Sequence, residues 1–184
     1  MSRAIFWDLL GTLGGNSHTL INQDFKFFEH ALLALKKATE NNYLNIIITN
    51  QSHIAHDRLS LDEYNQALKG LLTELENHNI MIAEVYTCPH AKKDNCPCKK
   101  PQTLLADKAI RKYYLNPAVC YVIGDSGKND MMLAENLSMK SILVLTGEGQ
   151  RSLKELRHLW IDTEPTYIAE DSLDAINKVL STVN

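Results

Sequence analysis

No apolar run in this chain approaches the length that crosses a bilayer, and neither sign of charge dominates it. Nineteen basic residues stand against 22 acidic ones, a formal net charge of −3, which offers no electrostatic case for nucleic acid or an anionic membrane. Internal repeats, low-complexity tracts and linker-like stretches are lacking as well, so a single domain spanning 1–184 is expected. The start Met1-Ser2-Arg3 runs straight into an apolar segment without a signal-peptide pattern, and the expectation is a cytoplasmic protein. Cysteine is scarce: Cys88, Cys96, Cys98 and Cys120. In such a compartment they read as reduced thiols, and the clustering of three of them favours metal over disulfides.

With 45% hydrophobic and 22% charged residues, the composition is that of an ordered globular protein with a sizeable core. Strand and helix patterns alternate along the chain. Strands are predicted at Ala4 to Trp7, Asn45 to Thr49, a short run ending at Val85, Val119 to Ile123, Ser141 to Leu145 and Tyr167 to Ala169. Helices are predicted over Phe25 to Asn41, from the Ser60-Leu61-Asp62-Glu63 capping box along Leu61, Leu68, Leu71, Leu72 and Leu75, and over Thr103 to Tyr114. Further helices are predicted to begin at Asp130 to Glu135, to lie within Ser152 to Leu159, and to run from Ser172 to Leu180. Such alternation means an α/β fold, a Rossmann-like three-layer sandwich with a mainly parallel sheet.

Chemistry-bearing groups recur where apolar strands end. Ile5-Phe6-Trp7-Asp8-Leu9-Leu10-Gly11-Thr12 delivers a carboxylate to the carboxyl edge of the sheet, where it can serve as nucleophile and metal ligand together. After Ile46-Ile47-Ile48 come Thr49 and Asn50, a hydroxyl and an amide able to donate to a phosphate oxygen. Lys99 and Lys100 precede Pro101 and a helix, and Gly124-Asp125 through Asp130 sets two acidic groups on a glycine-containing turn. Each has a plainer role available: Thr49 a strand end, the lysines a solvated pair, Asp125 a turn former, Asp130 a charge favoured at a helix N-terminus. Their shared position and order favour a site.

Cys88, His90, Cys96 and Cys98 supply three thiolates and an imidazole within a short, polar span, the ligand number and type of a closed tetrahedral zinc site. Binding energy on the order of ten kcal/mol is ample to order a loop over 88–98. The zinc is expected to be structural and to position Lys100. Cys120 reads as a small core residue.

In this order, Asp8-Leu9-Leu10-Gly11-Thr12, Thr49-Asn50-Gln51-Ser52, Lys100-Pro101 and Gly124-Asp125 through Asp130 resemble the four motifs of haloacid-dehalogenase-like (HAD-like) phosphatases. Ile48-Thr49-Asn50-Gln51-Ser52 and the Cys88-Pro89-His90, Cys96-Pro97-Cys98-Lys99-Lys100-Pro101 pattern resemble the branch of D-glycero-D-manno-heptose 1,7-bisphosphate phosphatase and histidinol-phosphate phosphatase. The resemblance implies a hydrolase in which Asp8 forms an aspartyl phosphate. It implies Mg²⁺ held by Asp8, the backbone carbonyl of Leu10 and Asp125, with Thr49, Asn50, Lys99 and Lys100 toward the substrate and Asp130 orienting Lys100 or a metal-bound water. Short spacing between motifs leaves no room for a large cap domain. The expected ligand is a small phosphorylated metabolite, of sugar-phosphate or histidinol-phosphate type, and a monomer is expected.

One working part is missing. The family carries a second aspartate where this chain has Leu10, and leucine can neither protonate a leaving alkoxide nor activate water. Such proton transfer is typically worth ~10²–10⁴-fold, so reduced or altered turnover is expected. His18, His53 and His56 lie in loops flanking Asp8 or Thr49 and are candidates for a substitute base, or simply exposed loop residues. The alternatives to an enzyme are a phospho-ligand-binding or regulatory protein that keeps the pocket, and a zinc-stabilised interaction module.

Overall fold

The computed structural model describes residues 2–182. Six strands form one sheet in the order β3-β2-β1-β4-β5-β6: β1 Ala4–Trp7, β2 Leu44–Asn50, β3 Ile82–Cys88, β4 Tyr121–Gly124, β5 Lys140–Val144 and β6 Tyr167–Ala169. Every pairing between them is parallel. The helices are α1 Glu29–Glu40, α2 Ser52–Ala55, α3 Leu61–Asn77, α4 Leu104–Tyr113, α5 Met132–Asn136, α6 Gly149–Lys154 and α7 Ser172–Ser181.

The three layers follow from the period of two along each strand. On β1, Ile5 and Trp7 join α1, α3 and α7 in one core cluster, while Ala4 and Phe6 join α4 and α5 in another. β2 divides likewise, Ile47 to the first face and Ile46 and Ile48 to the second. Because β1 lies between β2 and β4, the chain leaves it in opposite directions on the two sides. The crevice beyond the carboxyl ends of these strands is where such sheets bind ligands.

β1 and β6 match the sequence reading residue for residue; several other boundaries do not. α1 starts at Glu29 rather than Phe25, because Gly14 bridges Phe27 and Leu13 O accepts from Phe28 N at 2.9 Å, which holds 25–28 extended. β3 continues past Val85 to Cys88, its backbone pairing with β2 up to Asn50. β4 begins at Tyr121, since Pro117–Val119 forms a 3₁₀ turn capped by Asn116; Cys120 is fully buried but precedes the strand. Asp130 lies in a wide helical turn, Gly127–Met131, and the α-helix proper starts at Met132. β5 is shifted by one residue to 140–144, and α6 spans Gly149–Lys154, with only a 3₁₀ turn at Arg157–Leu159. On α3 the capping box forms as expected, but Leu61 is exposed and Tyr64 shares the buried side with Leu75.

Candidate active site and metal centre

Four strand ends meet at one cleft of about 400 Å³. Its floor is a buried charge cluster. The Lys100 ammonium donates to Asp8 Oδ1 at 2.6 Å, to Asp130 Oδ1 at 2.7 Å and to the backbone carbonyl of Ile48 at 2.8 Å, so all three of its hydrogens are engaged. Burial alone would depress the Lys100 pKa; Asp130 and Asp8 outweigh it and hold the ammonium above the ordinary lysine value. Burial pushes Asp130 up to about 6 against the pull of Lys100. Asp130 Oδ2 also accepts from Ser126 N at 3.0 Å, which fixes its carboxylate across the turn after β4.

Asp125 completes the cluster: its carboxylate oxygen lies within 4.8 Å of those of Asp8 and Asp130. Burial first, then Asp8 and Asp130, hold Asp125 well above the usual carboxylate range. The backbone closes tightly around it. A Cβ at Gly147 would fall 2.2 Å from Asp125 Oδ2 and 2.5 Å from Gly11 Cα, and Gly147 and Gly11 both adopt positive φ. Glu148 N donates to the same Oδ2 at 2.7 Å.

Three buried carboxylates face one ammonium, so their ionisation runs into a deficit of positive charge. A divalent oxygen-seeking cation offsets that deficit, and the Leu10 carbonyl, which accepts no hydrogen bond from the described residues, is a further oxygen donor beside Asp8. The site's donor chemistry therefore fits Mg²⁺.

The other expected residues are placed as follows. Thr49 is buried and lines the cleft, its Oγ1 accepting from Gln51 Nε2 at 3.0 Å. Asn50 also borders the cleft, but both its amide atoms are used on the Lys100 backbone: Oδ1 accepts from Lys100 N at 3.0 Å and Nδ2 donates to Lys100 O at 3.2 Å. Lys99 donates to Ser52 Oγ and to the His90 carbonyl, and lines an adjoining cleft of about 630 Å³. Leu10 is half-buried on the cleft wall. Of the three histidines, His53 and His56 line the cleft; His53 Nε2 meets the Ser17 carbonyl at 3.3 Å, and burial lowers its pKa.

Lys128 and Glu148 are among the cleft-wall residues that carried no individual role in the sequence reading. Lys128 stands inside the Gly124 to Asp130 motif, and Glu148 follows β5 in Thr146-Gly147-Glu148-Gly149. The latter repeats the same pattern, a polar, glycine-bearing turn after a buried strand, and that signal was available.

The second centre lies at the end of β3. One donor atom each from Cys88, His90, Cys96 and Cys98 falls within 4.8 Å of the others. Neighbouring separations run from 3.1 Å for His90 Nδ1 to Cys98 Sγ up to 3.7 Å for Cys88 Sγ to His90 Nδ1. A tetrahedron with Zn–S bonds of about 2.3 Å needs edges near ~3.8 Å, so the donors are already close to that spacing. Burial, with Cys98 and Cys96 alongside, pushes the Cys88 thiol up to about 12, so a metal cation is what would ionise it. This donor set fits zinc, and all four cysteines are free of disulfides.

Comparison with known proteins agrees with this geometry. The HAD-hydrolase-like family model matches residues 97–175. The D-glycero-beta-D-manno-heptose-1,7-bisphosphate 7-phosphatase of Haemophilus ducreyi is 30% identical over 178 residues, covering 89% of this chain and 97% of that one. The chain belongs to the HAD-like phosphatases. That places it among phosphomonoester hydrolases. A second HAD-like relative, the histidine biosynthesis bifunctional protein HisB of Actinobacillus pleuropneumoniae, is 32% identical over 112 residues, 61% of this chain and 30% of that protein. In fold, the HAD-like domain matches the crystal structure of D,D-heptose 1,7-bisphosphate phosphatase from B. bronchiseptica, described as complexed with magnesium and phosphate. The TM-score is 0.86 and the identity 22%, over 99% of both chains. No helix among the described residues is long and apolar enough to cross a membrane.

Proposed function

We propose that the chain is a Mg²⁺-dependent phosphatase for a small phosphorylated metabolite, acting through an aspartyl phosphate on Asp8, with turnover altered by Leu10. The observation that carries this reading is the buried Asp8–Lys100–Asp130 cluster with Asp125 beside it. Asp8, the Leu10 carbonyl and Asp125 would hold the cation, which when bound neutralises charge on the phosphoryl oxygens. Asp8 attacks phosphorus through a carboxylate oxygen as the bond from phosphorus to the leaving alkoxide breaks, the alkoxide taking its proton from water. Forming the acyl phosphate removes the negative charge that Lys100 faces, and the hydrogen now donated to Asp8 becomes available to a phosphoryl oxygen. A water molecule then hydrolyses the acyl phosphate, releasing phosphate and restoring the Asp8 carboxylate. Asp130 keeps the ammonium in place throughout, and Thr49 donates its hydroxyl hydrogen to another phosphoryl oxygen. Such fixed donors stabilise the charge of a phosphoryl-transfer transition state.

The adjoining cleft supports a sugar-phosphate substrate bearing a second anionic group. It shares Asn50, Ser52, Lys100, Lys128 and Asn129 with the first cleft, adds Lys92 and Lys99, and contains no carboxylate. The zinc centre is structural in this reading: four protein ligands leave no open coordination position, and its loop leads directly into Lys99 and Lys100. The whole of 1–184 acts as one domain and as a monomer. A second reading, a phospho-ligand binder without turnover, is favoured by Leu10 alone, since it puts an apolar side chain on the cleft wall where proton transfer is needed.

Mg²⁺-dependent hydrolysis of p-nitrophenyl phosphate by the wild type and by Asp8→Asn separates the two. Turnover that Asp8→Asn abolishes supports the phosphatase. Absence of turnover in the wild type, together with phosphate binding, supports the binder.

A further inference from the structure

Thr49 is 1% exposed, and its hydroxyl is the neutral donor on which the proposed phosphoryl site depends. A hydroxyl carries one hydrogen, and nothing in a threonine's own geometry decides where that hydrogen points. Gln51 is fully buried two residues on, and its Nε2 donates to Thr49 Oγ1 at 3.0 Å. An amide NH₂ can only donate, so Thr49 Oγ1 must accept there, and its own hydrogen finds no acceptor among the described residues. Gln51 is itself pinned: its N–H donates to Cys88 O at 2.8 Å, and its carbonyl accepts from Ile54 N at 3.1 Å. Its side-chain Oε1 is buried without a partner. Buried polar atoms are nearly always satisfied, so this exception calls for a reason.

We propose that Gln51 is a positioning residue that sets the polarity of the Thr49 hydroxyl, forcing its hydrogen into the cleft as a donor to the phosphoryl group. The inference rests on the reading of Thr49 as a phosphate contact. Because Gln51 N–H bonds to Cys88, whose thiol belongs to the Cys₃His cluster, the same residue ties the metal loop to the phosphate site.

The test is calorimetric binding of inorganic phosphate in the presence of Mg²⁺ to wild type, Thr49→Val, Gln51→Met and the double variant, with the affinity for Mg²⁺ alone measured in parallel. A hydrogen bond to a charged group is worth roughly tenfold or more in affinity, so Thr49→Val loses about that much and Gln51→Met about threefold to tenfold. The double variant binds no worse than Thr49→Val, because Gln51 acts only through that hydroxyl. Mg²⁺ affinity stays unchanged.

Losses that multiply in the double variant, or a fall in Mg²⁺ affinity with Gln51→Met, show a general structural role and overturn the proposal. Wild-type phosphate affinity in Gln51→Met overturns it while leaving the Thr49 reading intact. Unchanged affinity in Thr49→Val removes both. If Gln51→Met does not fold, Gln51→Leu, equally unable to donate, is measured in its place alone and with Thr49→Val, and the same outcomes decide.

Discussion

Replacing Lys100 with methionine is the severest single test of the charge cluster. The Lys100 side chain is 2% exposed, that of Asp8 11% and that of Asp130 1%, so water screens these charges little. Removing one partner of a buried ion pair costs about 3–5 kcal/mol, because the remaining charge is left without compensation. Here one ammonium serves two carboxylates with a third within 4.8 Å, which places Lys100→Met toward the upper end. At about 2–4 °C per kcal/mol for a domain of this size, the expected fall in melting temperature is roughly 8–20 °C. Millimolar Mg²⁺ restores part of it by binding the folded state.

The decisive comparison is the double variant. Asp130→Asn keeps an oxygen for Ser126 N but removes the charge, so adding it to Lys100→Met raises stability above that of the single variant. Differential scanning calorimetry of the four proteins, with and without Mg²⁺, reads this coupling. A double variant that loses the sum of the two single effects would refute the view that uncompensated charge, rather than lost packing, dominates. A loss under about 1 kcal/mol in Lys100→Met, the scale of an exposed pair, would refute the desolvation argument itself.

Four further outcomes are expected. Leu10→Asp raises hydrolysis of an alkyl phosphate by ~10²–10⁴-fold and changes an aryl phosphate much less, since only the poorer leaving group needs a proton; equal gains on both esters would contradict this. The purified protein carries one equivalent of zinc by elemental analysis, and Cys98→Ser or a strong chelator lowers both the zinc content and the melting temperature; a metal-free protein of unchanged stability would count against a structural metal. Ser60→Ala costs about 1 kcal/mol, or 2–4 °C, through loss of the α3 cap. Its partner Glu63 has a pKa lowered by hydrogen bonds from the Ser60 side chain and backbone. The stabilisation from Glu63 is therefore complete above the ordinary glutamate pKa and lost as pH falls through the depressed one. The melting difference between wild type and Glu63→Ala should be present at neutral pH and close in acid.

Much of the fold was legible because the relevant forces are local. The continuous apolar run Ile5-Phe6-Trp7, the β-branched run Ile46-Ile47-Ile48 and the Ser60 to Glu63 box each express a preference that neighbouring residues alone impose. The Cys₃His set was legible for the same reason, its four donors falling within eleven residues, 88–98. Misplaced boundaries arose where distant backbone intervened. Phe25 to Phe28 carries helical periodicity, yet the partners that hold it extended, Leu13 and Gly14, lie more than ten residues away.

The site divides along the same line. Sequence alone determined which groups are present at the strand ends, including the absence of a proton carrier at Leu10, because the functional group a residue carries is fixed by its identity. Tertiary structure decided what each group is free to do. It joined Lys100 to Asp8 and Asp130, spent both amide atoms of Asn50 on the Lys100 backbone, and brought Gly147 against Gly11 around Asp125. It also brought Glu148 to the cleft wall from a loop 140 residues beyond Asp8. These are matters of distance and desolvation between segments far apart in the chain, and only the packed sheet sets them.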